Sequence, residues 1–336
     1  MTPTDFARHL TRYLGEYLPA QRNVTPNTIK SYRDVFTLLL RFCHAQQGIA
    51  PERLRLDQLD AALILAFLSH LEIDRHCKSR TRNQRLAAIH AFFRYLQSEA
   101  PDRMMQCQQI LAIPFHRHER AAVTYLSPDE VVLILAQPDL ARVEGRRHAV
   151  LLSVLYDTGA RVQEVADLCA GDVRLETPAH MRLTGKGRKT RVVPLMANTV
   201  AMLAEYMREH NLLAAERRDE PLFFNRFGQR MSRSGIRYLL SKYCRRAREQ
   251  RPSLPANVSP HTLRHTKAMH LLQAGNPLNV IQAILGHVDI KTCTIYASAD
   301  LEMKRKALEM AGSLTPTPSQ PSWRSDQQLM DWLRSL

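Results

Sequence analysis

Four separated segments of the 336-residue chain concentrate side chains suited to handling phosphate. They are Thr158-Gly159-Ala160-Arg161-Val162-Gln163-Glu164, the glycine-rich turn around Lys186, His261-Thr262-Leu263-Arg264-His265, and Leu285-Gly286-His287 leading to Tyr296. Singly, each has a plain structural reading. A helical arginine such as Arg161 or Arg264 is ordinarily solvated or ion-paired. Lys186 fits a turn lysine, and Tyr296 fits a packed aromatic with a bonded hydroxyl. His261 and Arg264 say more, because they stand i and i+3 at a helix N-terminus, where both side chains and the positive end of the helix dipole can face one anion. Only in combination do the four segments point to chemistry on a phosphate.

Holding residues more than a hundred positions apart in one site requires a scaffold, and the apolar periodicity predicts one that is mainly α-helical. Pro26 to Cys43 places Ile29, Tyr32, Phe36, Leu39 and Leu40 at helical spacing behind a Thr25 cap, with Pro26 at the first helical position. A second helix begins near Leu59, and a third runs from Ser79 to Leu96 with Leu86, Ile89, Phe92, Phe93 and Leu96 inward and Arg80, Arg82 and Arg85 outward. Ile113 to Thr124 has no period and reads as an exposed linker; Ser127-Pro128-Asp129-Glu130 then forms a capping box that opens a helix to about Gln137. Further helices fit 147–157, 161–168, 197–210, 232–248 and 260–273. Short strands fit 172–175, 180–184 and 190–195, the last two joined across Gly185 to Lys189. The expected organisation is an all-helical domain over 1–117, an α-rich domain with a small antiparallel β-sheet over 118–314, and a Pro- and Ser-rich linker with a terminal amphipathic helix over 315–336. That last helix carries Leu329, Trp332, Leu333 and Leu336 on one face.

Composition narrows the partner. Lys and Arg number 47 against 32 Asp and Glu, a net charge of +15 with a pI near 9.9, and both large segments share it at +6 for 1–117 and +9 for 118–336. Such a chain favours a polyanion. The longest apolar run, Ala61 to Leu68, is far short of the ~20 residues of a membrane span, and no signal peptide is read at the start, so no membrane partner and a cytoplasmic location are expected. The six cysteines lie tens of residues apart with no CxxC pair, which excludes zinc-ribbon and redox spacings and predicts reduced, mostly buried thiols.

Taken in order, the motifs resemble the tyrosine recombinase (phage integrase) family along essentially the whole chain. TGARVQEVADL is similar to its first-arginine box, GKGRKTRVVPL to its lysine hairpin, SPHTLRHTKAMHLLQAG to its His-x-x-Arg box, and ILGHVDIKTCTIYA to its final histidine and nucleophilic tyrosine. TPNTIKSYRDVFTLLLRF and SRTRNQRLAAIHAFFRYL are similar to its helical core-binding domain, which clamps DNA opposite the catalytic domain. The resemblance implies catalytic roles for Arg161, Lys186, His261, Arg264, His287 and Tyr296, with a double-stranded DNA recombination site as substrate. It also implies a homotetramer on two duplexes, accessory or partner recombinases, and no cofactor or metal. The residue types suit that reaction: permanently charged bidentate guanidiniums (Arg161, Arg264) stabilise charge on nonbridging oxygens. Lys186 is assigned as acid for the leaving 5′ oxygen, His261 to proton transfer at the tyrosine, His287 to the scissile phosphate and Tyr296 to a 3′-phosphotyrosyl bond. Glu164, one turn from Arg161, is expected to orient it. The implied use is integration, excision or transposition of a mobile element, the alternative being resolution of chromosome dimers.

Three rivals share parts of this pattern. His261 and His265 have the i, i+4 spacing of a zinc helix, but Arg264 beside the metal would repel it and HExxH needs Glu at Thr262. A type IB topoisomerase shares the tyrosine and arginine chemistry but acts as a monomer; the apolar tail after Ser313 favours an assembling recombinase. A non-enzymatic DNA-binding relative would have lost part of the set, which is intact here.

Overall fold

The computed structural model describes residues 2–117, 124–185, 187, 189–286 and 327–336, which fall into two compact units, Met1–Ala121 and Ala122–Leu336. The first is all-helical: α1 (Asp5–Arg12) running on into a π-wound segment (Tyr13–Gln21), α2 (Pro26–Gln47), α3 (Ala61–Ile73), α4 (Ser79–Glu99) and α5 (Met104–Leu111). Local chemistry sets the starts. Pro26 opens α2, and the Asp60 carboxylate caps α3 by accepting from Leu63 N at 2.7 Å. α4 packs against α2, α3 and α5, and its Leu86, Ile89, Phe92, Phe93 and Leu96 are buried as their spacing predicts. α1, the segment after it and α5 lie within a third of the chain read as helical without being individually delimited.

Two expectations for this unit are corrected. Arg82 does not point outward: it is buried, and its Nη1 donates to the Pro114 carbonyl at 3.1 Å and to Asn83 Oδ1 at 3.3 Å. The phase explains this, since 82, 86, 89 and 93 form one i, i+4, i+7, i+11 row, and a guanidinium at the head of a buried row must turn to a polar group. The linker is exposed over 114–117 as expected, but its start is not. Ile113 is buried in the helical core, and the His116 backbone is gripped by Asn83, which donates Nδ2–H to His116 O at 2.7 Å and accepts from His116 N at 3.0 Å. Residues 118–123 lie outside the described residues.

The second unit contains α6 (Pro128–Leu135), α7 (Val143–Asp157), α8 (Val162–Asp167), β1 (Val173–Arg174), β2 (His180–Thr184), β3 (Thr190–Pro194), α9 (Ala197–Glu209), α10 (Arg233–Gln250), α11 (Pro260–Gln273) and α12 (Leu278–Leu285), with α13 (Gln327–Ser335) at the end. The Ser127–Glu130 capping box forms as read, Ser127 N donating to the Glu130 carboxylate at 2.7 Å and Glu130 N to Ser127 Oγ at 3.3 Å. α7 contacts α6, α8, α9 and α11, and its Leu151, Leu152, Val154 and Leu155 are buried at the centre of the core. The sheet is antiparallel in the order β1-β2-β3, with Met181 opposite Val193 and Leu183 opposite Arg191. β1 is shorter than predicted because the Asp172 carboxylate accepts from Cys169 N and Arg182 Nε, closing a turn where the strand was expected to begin. Cys43, Cys107 and Cys244 are buried and Cys77 and Cys169 half-buried, all as free thiols; Cys293 lies outside the described residues. No described helix is long and apolar enough to cross a membrane.

Candidate active site

Arg161 and Arg264 reach one place from opposite directions. α8 starts at Arg161 because the Glu164 carboxylate, on the third helical residue, accepts from Arg161 N at 2.8 Å; its other oxygen accepts from the same residue's Nη1 at 2.8 Å. Arg161 Nη2 then donates to the Gly286 carbonyl at 3.2 Å. Arg264 lies one turn into α11, a helix capped by Ser259 Oγ, and is 2% exposed. Its Nη1 donates to the Gly159 carbonyl and its Nη2 to the Leu285 carbonyl, both at 2.6 Å. Two guanidiniums more than a hundred residues apart in sequence therefore grip successive carbonyls, 285 and 286, at the negative end of the α12 dipole.

Gly159 makes the approach possible. Its φ is +55°, and a Cβ there would stand 2.5 Å from Leu285 Cδ2, so the turn between α7 and α8 can meet α12 only without a side chain. Lys267, on α11, adds its stem to this packing; its ammonium is 3.8 Å from Asp157 and sits over the Tyr156 ring. Burial lowers its pKa, opposed by the Asp157 charge. One turn further along α11, the His270 ring bridges the Tyr156 hydroxyl at 2.7 Å and the Leu126 carbonyl at 2.9 Å. These bonds fix how α11 rides on α7, and with it the position of Arg264.

Glu164 bonds Arg161 as expected and reveals a residue that sequence reasoning missed. It is 3% exposed, and besides Arg161 it accepts two bonds from Arg191 on β3, Nη1 to Oε1 at 3.0 Å and Nη2 to Oε2 at 2.8 Å. Burial by itself would raise the carboxyl pKa, but the bonds from Arg191 and Arg161 and the Arg191 charge outweigh it and hold the group at about 2. A depressed carboxylate adds stability above the unfolded value near 4.5 and loses it as pH falls towards 2; the shift corresponds to roughly 3 kcal/mol. Arg191 was legible in principle. It is in phase with buried Val193 while Thr190, Val192 and Pro194 face out, and an arginine on the inner side of a strand calls for a buried acid.

His261, in the first turn of α11, is exposed, and its ring lies edge-on to that of His265 with centroids 4.1 Å apart. Burial, with smaller contributions from His261 and Arg264, pushes His265 down to about 4, so it is neutral near pH 7. Among the described residues no group of three His, Cys, Asp or Glu could hold a metal ion. Lys186, His287 and Tyr296 lie outside the described residues. Their flanks are informative: Gly185 N donates to Lys189 O at 2.8 Å, closing the base of the hairpin that carries Lys186, and Gly286, whose carbonyl Arg161 holds, is the residue before His287.

Comparison with known proteins shows the family. Residues 124–303 match the phage integrase family, and residues 10–100 match the phage integrase N-terminal SAM-like domain. The chain is 40% identical over 329 residues to the integrase/recombinase y4rC of Sinorhizobium fredii, covering 97% of each, and 31% identical over 304 residues to tyrosine recombinase XerC of Pelotomaculum thermopropionicum, covering 89% of this chain and 95% of that one. In fold it is similar to the Tn1549 transposon integrase in complex with transposon right end DNA (TM-score 0.68, 16% identity, 90% of this chain and 99% of that chain). It is likewise similar to the XerH site-specific recombinase bound to palindromic difH substrate (TM-score 0.66, 21% identity, 87% and 82%). Arg264, buried, and Arg161, half-buried, thus meet at the end of α12 within an α-rich domain bearing a small sheet. The chain belongs to the phage integrase family, the tyrosine recombinases, and is a DNA strand transferase that performs site-specific recombination.

Proposed function

We propose that the chain cuts and rejoins DNA through a 3′-phosphotyrosyl intermediate and a Holliday junction, in the service of a mobile element. The observation that carries the reading is the convergence of Arg161 and Arg264 on the 285 and 286 carbonyls, immediately before His287. The Tyr296 oxygen attacks the scissile phosphorus as its proton passes to His261. The P–O5′ bond breaks, and the departing 5′ oxygen takes a proton from Lys186. Arg161, Arg264 and His287 hold the nonbridging oxygens as charge builds. The new ester conserves the bond energy, so attack by a 5′ hydroxyl of the partner strand reverses the chemistry without ATP. The integrase/recombinase relative at 40% identity supports the mobile-element role; the XerC relative supports chromosome-dimer resolution as the second reading.

The test uses a duplex selected for binding from a random-sequence pool and nicked beside the cleavage position, so that the cut end diffuses away and a covalent adduct accumulates. Wild-type protein should form a denaturant-resistant adduct with it in EDTA. Lys186→Ala should cleave ordinary DNA about 10²-fold or more slowly and recover when the leaving oxygen is replaced by sulfur, which departs without a proton. Equal slowness on the sulfur substrate assigns Lys186 to positioning or charge instead.

The working form is proposed to be a homotetramer on two duplexes. α13 exposes Leu329, Trp332, Leu333 and Leu336, each by more than a third, and burying a few hundred Å2 of such surface stabilises by several kcal/mol at about 25 cal/mol per Å2 before ordering costs. The sequence linker 315–322 can span roughly 25 Å if extended at ~3.1 Å per residue, enough for the helix to reach a neighbouring protomer in a closed ring. A chain ending at Leu314 should bind one site normally yet fail to assemble paired-site complexes, as read by native gel mobility. Normal tetramers from that chain would assign the helix to its own domain.

A further inference from the structure

We propose that Arg191 is a positioning residue for DNA cleavage, joining through Glu164 and the Ile284 carbonyl the three stretches of chain that lead to Arg161, Lys186 and His287. The inference rests on the reaction assigned above, in which Arg191 itself has no chemical step.

Three bonds run from one guanidinium to two partners. Two of them form a fork onto Glu164, whose four accepted bonds, two from Arg191 and two from Arg161, fill both carboxylate oxygens. The third, from Arg191 Nε, goes to the Ile284 carbonyl at 2.8 Å. Carbonyls 284, 285 and 286 are thus held in succession by Arg191, Arg264 and Arg161. The end of α12, from which the chain passes into His287, is fixed against α8, α11 and β3 at once.

The same carboxylate supports the lysine hairpin. A Cβ at Gly185 would stand 2.9 Å from Glu164 Oε1, so the last residue before Lys186 lies directly on it. Arg191 sits two residues beyond Lys189, which closes the hairpin base against Gly185. A shift of the Glu164–Arg191 pair therefore moves the base of the hairpin and the Arg161 guanidinium together. Lysine cannot reproduce this, because one ammonium does not offer a planar fork to two carboxylate oxygens and a third bond to a carbonyl.

A merely structural ion pair would stabilise the fold without affecting how cleavage responds to pH. The charged groups bonded to Glu164 are Arg161, at the head of its own helix, and Arg191, from the sheet packed against it; the described bonds of Arg264, from α11, go to the carbonyls of Gly159 and Leu285. With Arg191 removed, burial acts on a carboxylate that keeps one guanidinium partner, and its affinity for a proton rises. Protonated Glu164 is a weaker acceptor and releases Arg161, so the variant should fail progressively as pH falls, over a range where wild-type Glu164 stays ionised.

The experiment is single-turnover cleavage of the binding-selected nicked duplex at saturating protein, with duplex affinity and thermal unfolding measured in parallel. Arg191→Ala should cut about 100-fold and Arg191→Lys at least about 10-fold more slowly than wild type, the scale of loss for a misplaced catalytic group, with affinity within about threefold. The ratio of the Arg191→Ala rate to the wild-type rate should fall progressively as the pH is lowered from about 8 to about 5.5. Near-normal cleavage by Arg191→Lys, or a ratio unchanged with pH, overturns the proposal. Should Arg191→Ala not fold, Arg191→Lys carries the comparison alone, since it keeps the charge. If wild-type protein forms no adduct, the reaction assignment fails and this proposal with it; a wild-type adduct beside an unaffected Arg191→Lys removes only the proposal.

Discussion

Replacing Tyr296 by phenylalanine is expected to abolish the denaturant-resistant adduct completely while leaving affinity for the duplex within about threefold of wild type. The change removes one oxygen, the atom that would bond to phosphorus, and keeps the ring. Affinity should survive because it draws on a basic surface spread over both units of a chain with net charge +15, to which a neutral phenol adds little. Other tyrosines of the second unit are poor substitutes. Tyr156, Tyr206 and Tyr243 have hydroxyls bonded to His270, the Leu222 carbonyl and His148, and burial raises the pKa of each, which disfavours the phenolate needed for attack. Tyr125 and Tyr238 are exposed. An adduct persisting in Tyr296→Phe would therefore direct peptide mapping to those two, and Tyr296 would lose its assignment.

What the sequence shows of this protein, and what it hides, follows from the range of the interactions. Long amphipathic helices such as Ser79–Glu99 and Pro260–Gln273 declare themselves because one face repeats every 3.6 residues over several turns. The Ser127 box is equally local. α12 escapes because it is only eight residues long and has no side-chain cap to mark its start, unlike the short α6 and α8 with their capping boxes, although it supplies the carbonyls on which the site is built. Arg82 reads as outward because arginines at 80, 82 and 85 look like a polar face until the phase with Leu86 is counted. The motif arginines could be named from their resemblance, but their convergence could not: Arg161 meets Gly286 across 125 positions and Arg264 meets Gly159 across 105. Arg191 lies inside the lysine hairpin motif. Its partner Glu164 is 27 residues away on another element, and only the fold brings the two together.

The two arginines of the clasp should respond differently to lysine, and the difference separates catalysis from stability. Arg264→Lys is expected to lower single-turnover cleavage by about 10²- to 10³-fold, the usual loss for one preorganised donor facing developing charge, and to lower the melting temperature as well. Arg264 is almost wholly buried and bonds two carbonyls from different elements, Gly159 before α8 and Leu285 at the end of α12. An ammonium in that space can reach one of them, leaving the other carbonyl without its charged donor at a cost of about 1.5–3 kcal/mol, or several degrees in melting temperature. Arg161 has a side chain 39% exposed, and its backbone N–H to Glu164 survives substitution. Arg161→Lys should therefore lose rate on a similar scale through its missing fork, while melting within about 3 °C of wild type. Measuring both variants at saturating protein, with unfolding followed by circular dichroism, distinguishes the two contributions. If Arg264→Lys cleaved at a near-normal rate while melting early, its guanidinium would be a brace between α11, α12 and the Gly159 turn, and charge stabilisation at the phosphate would fall to Arg161 alone.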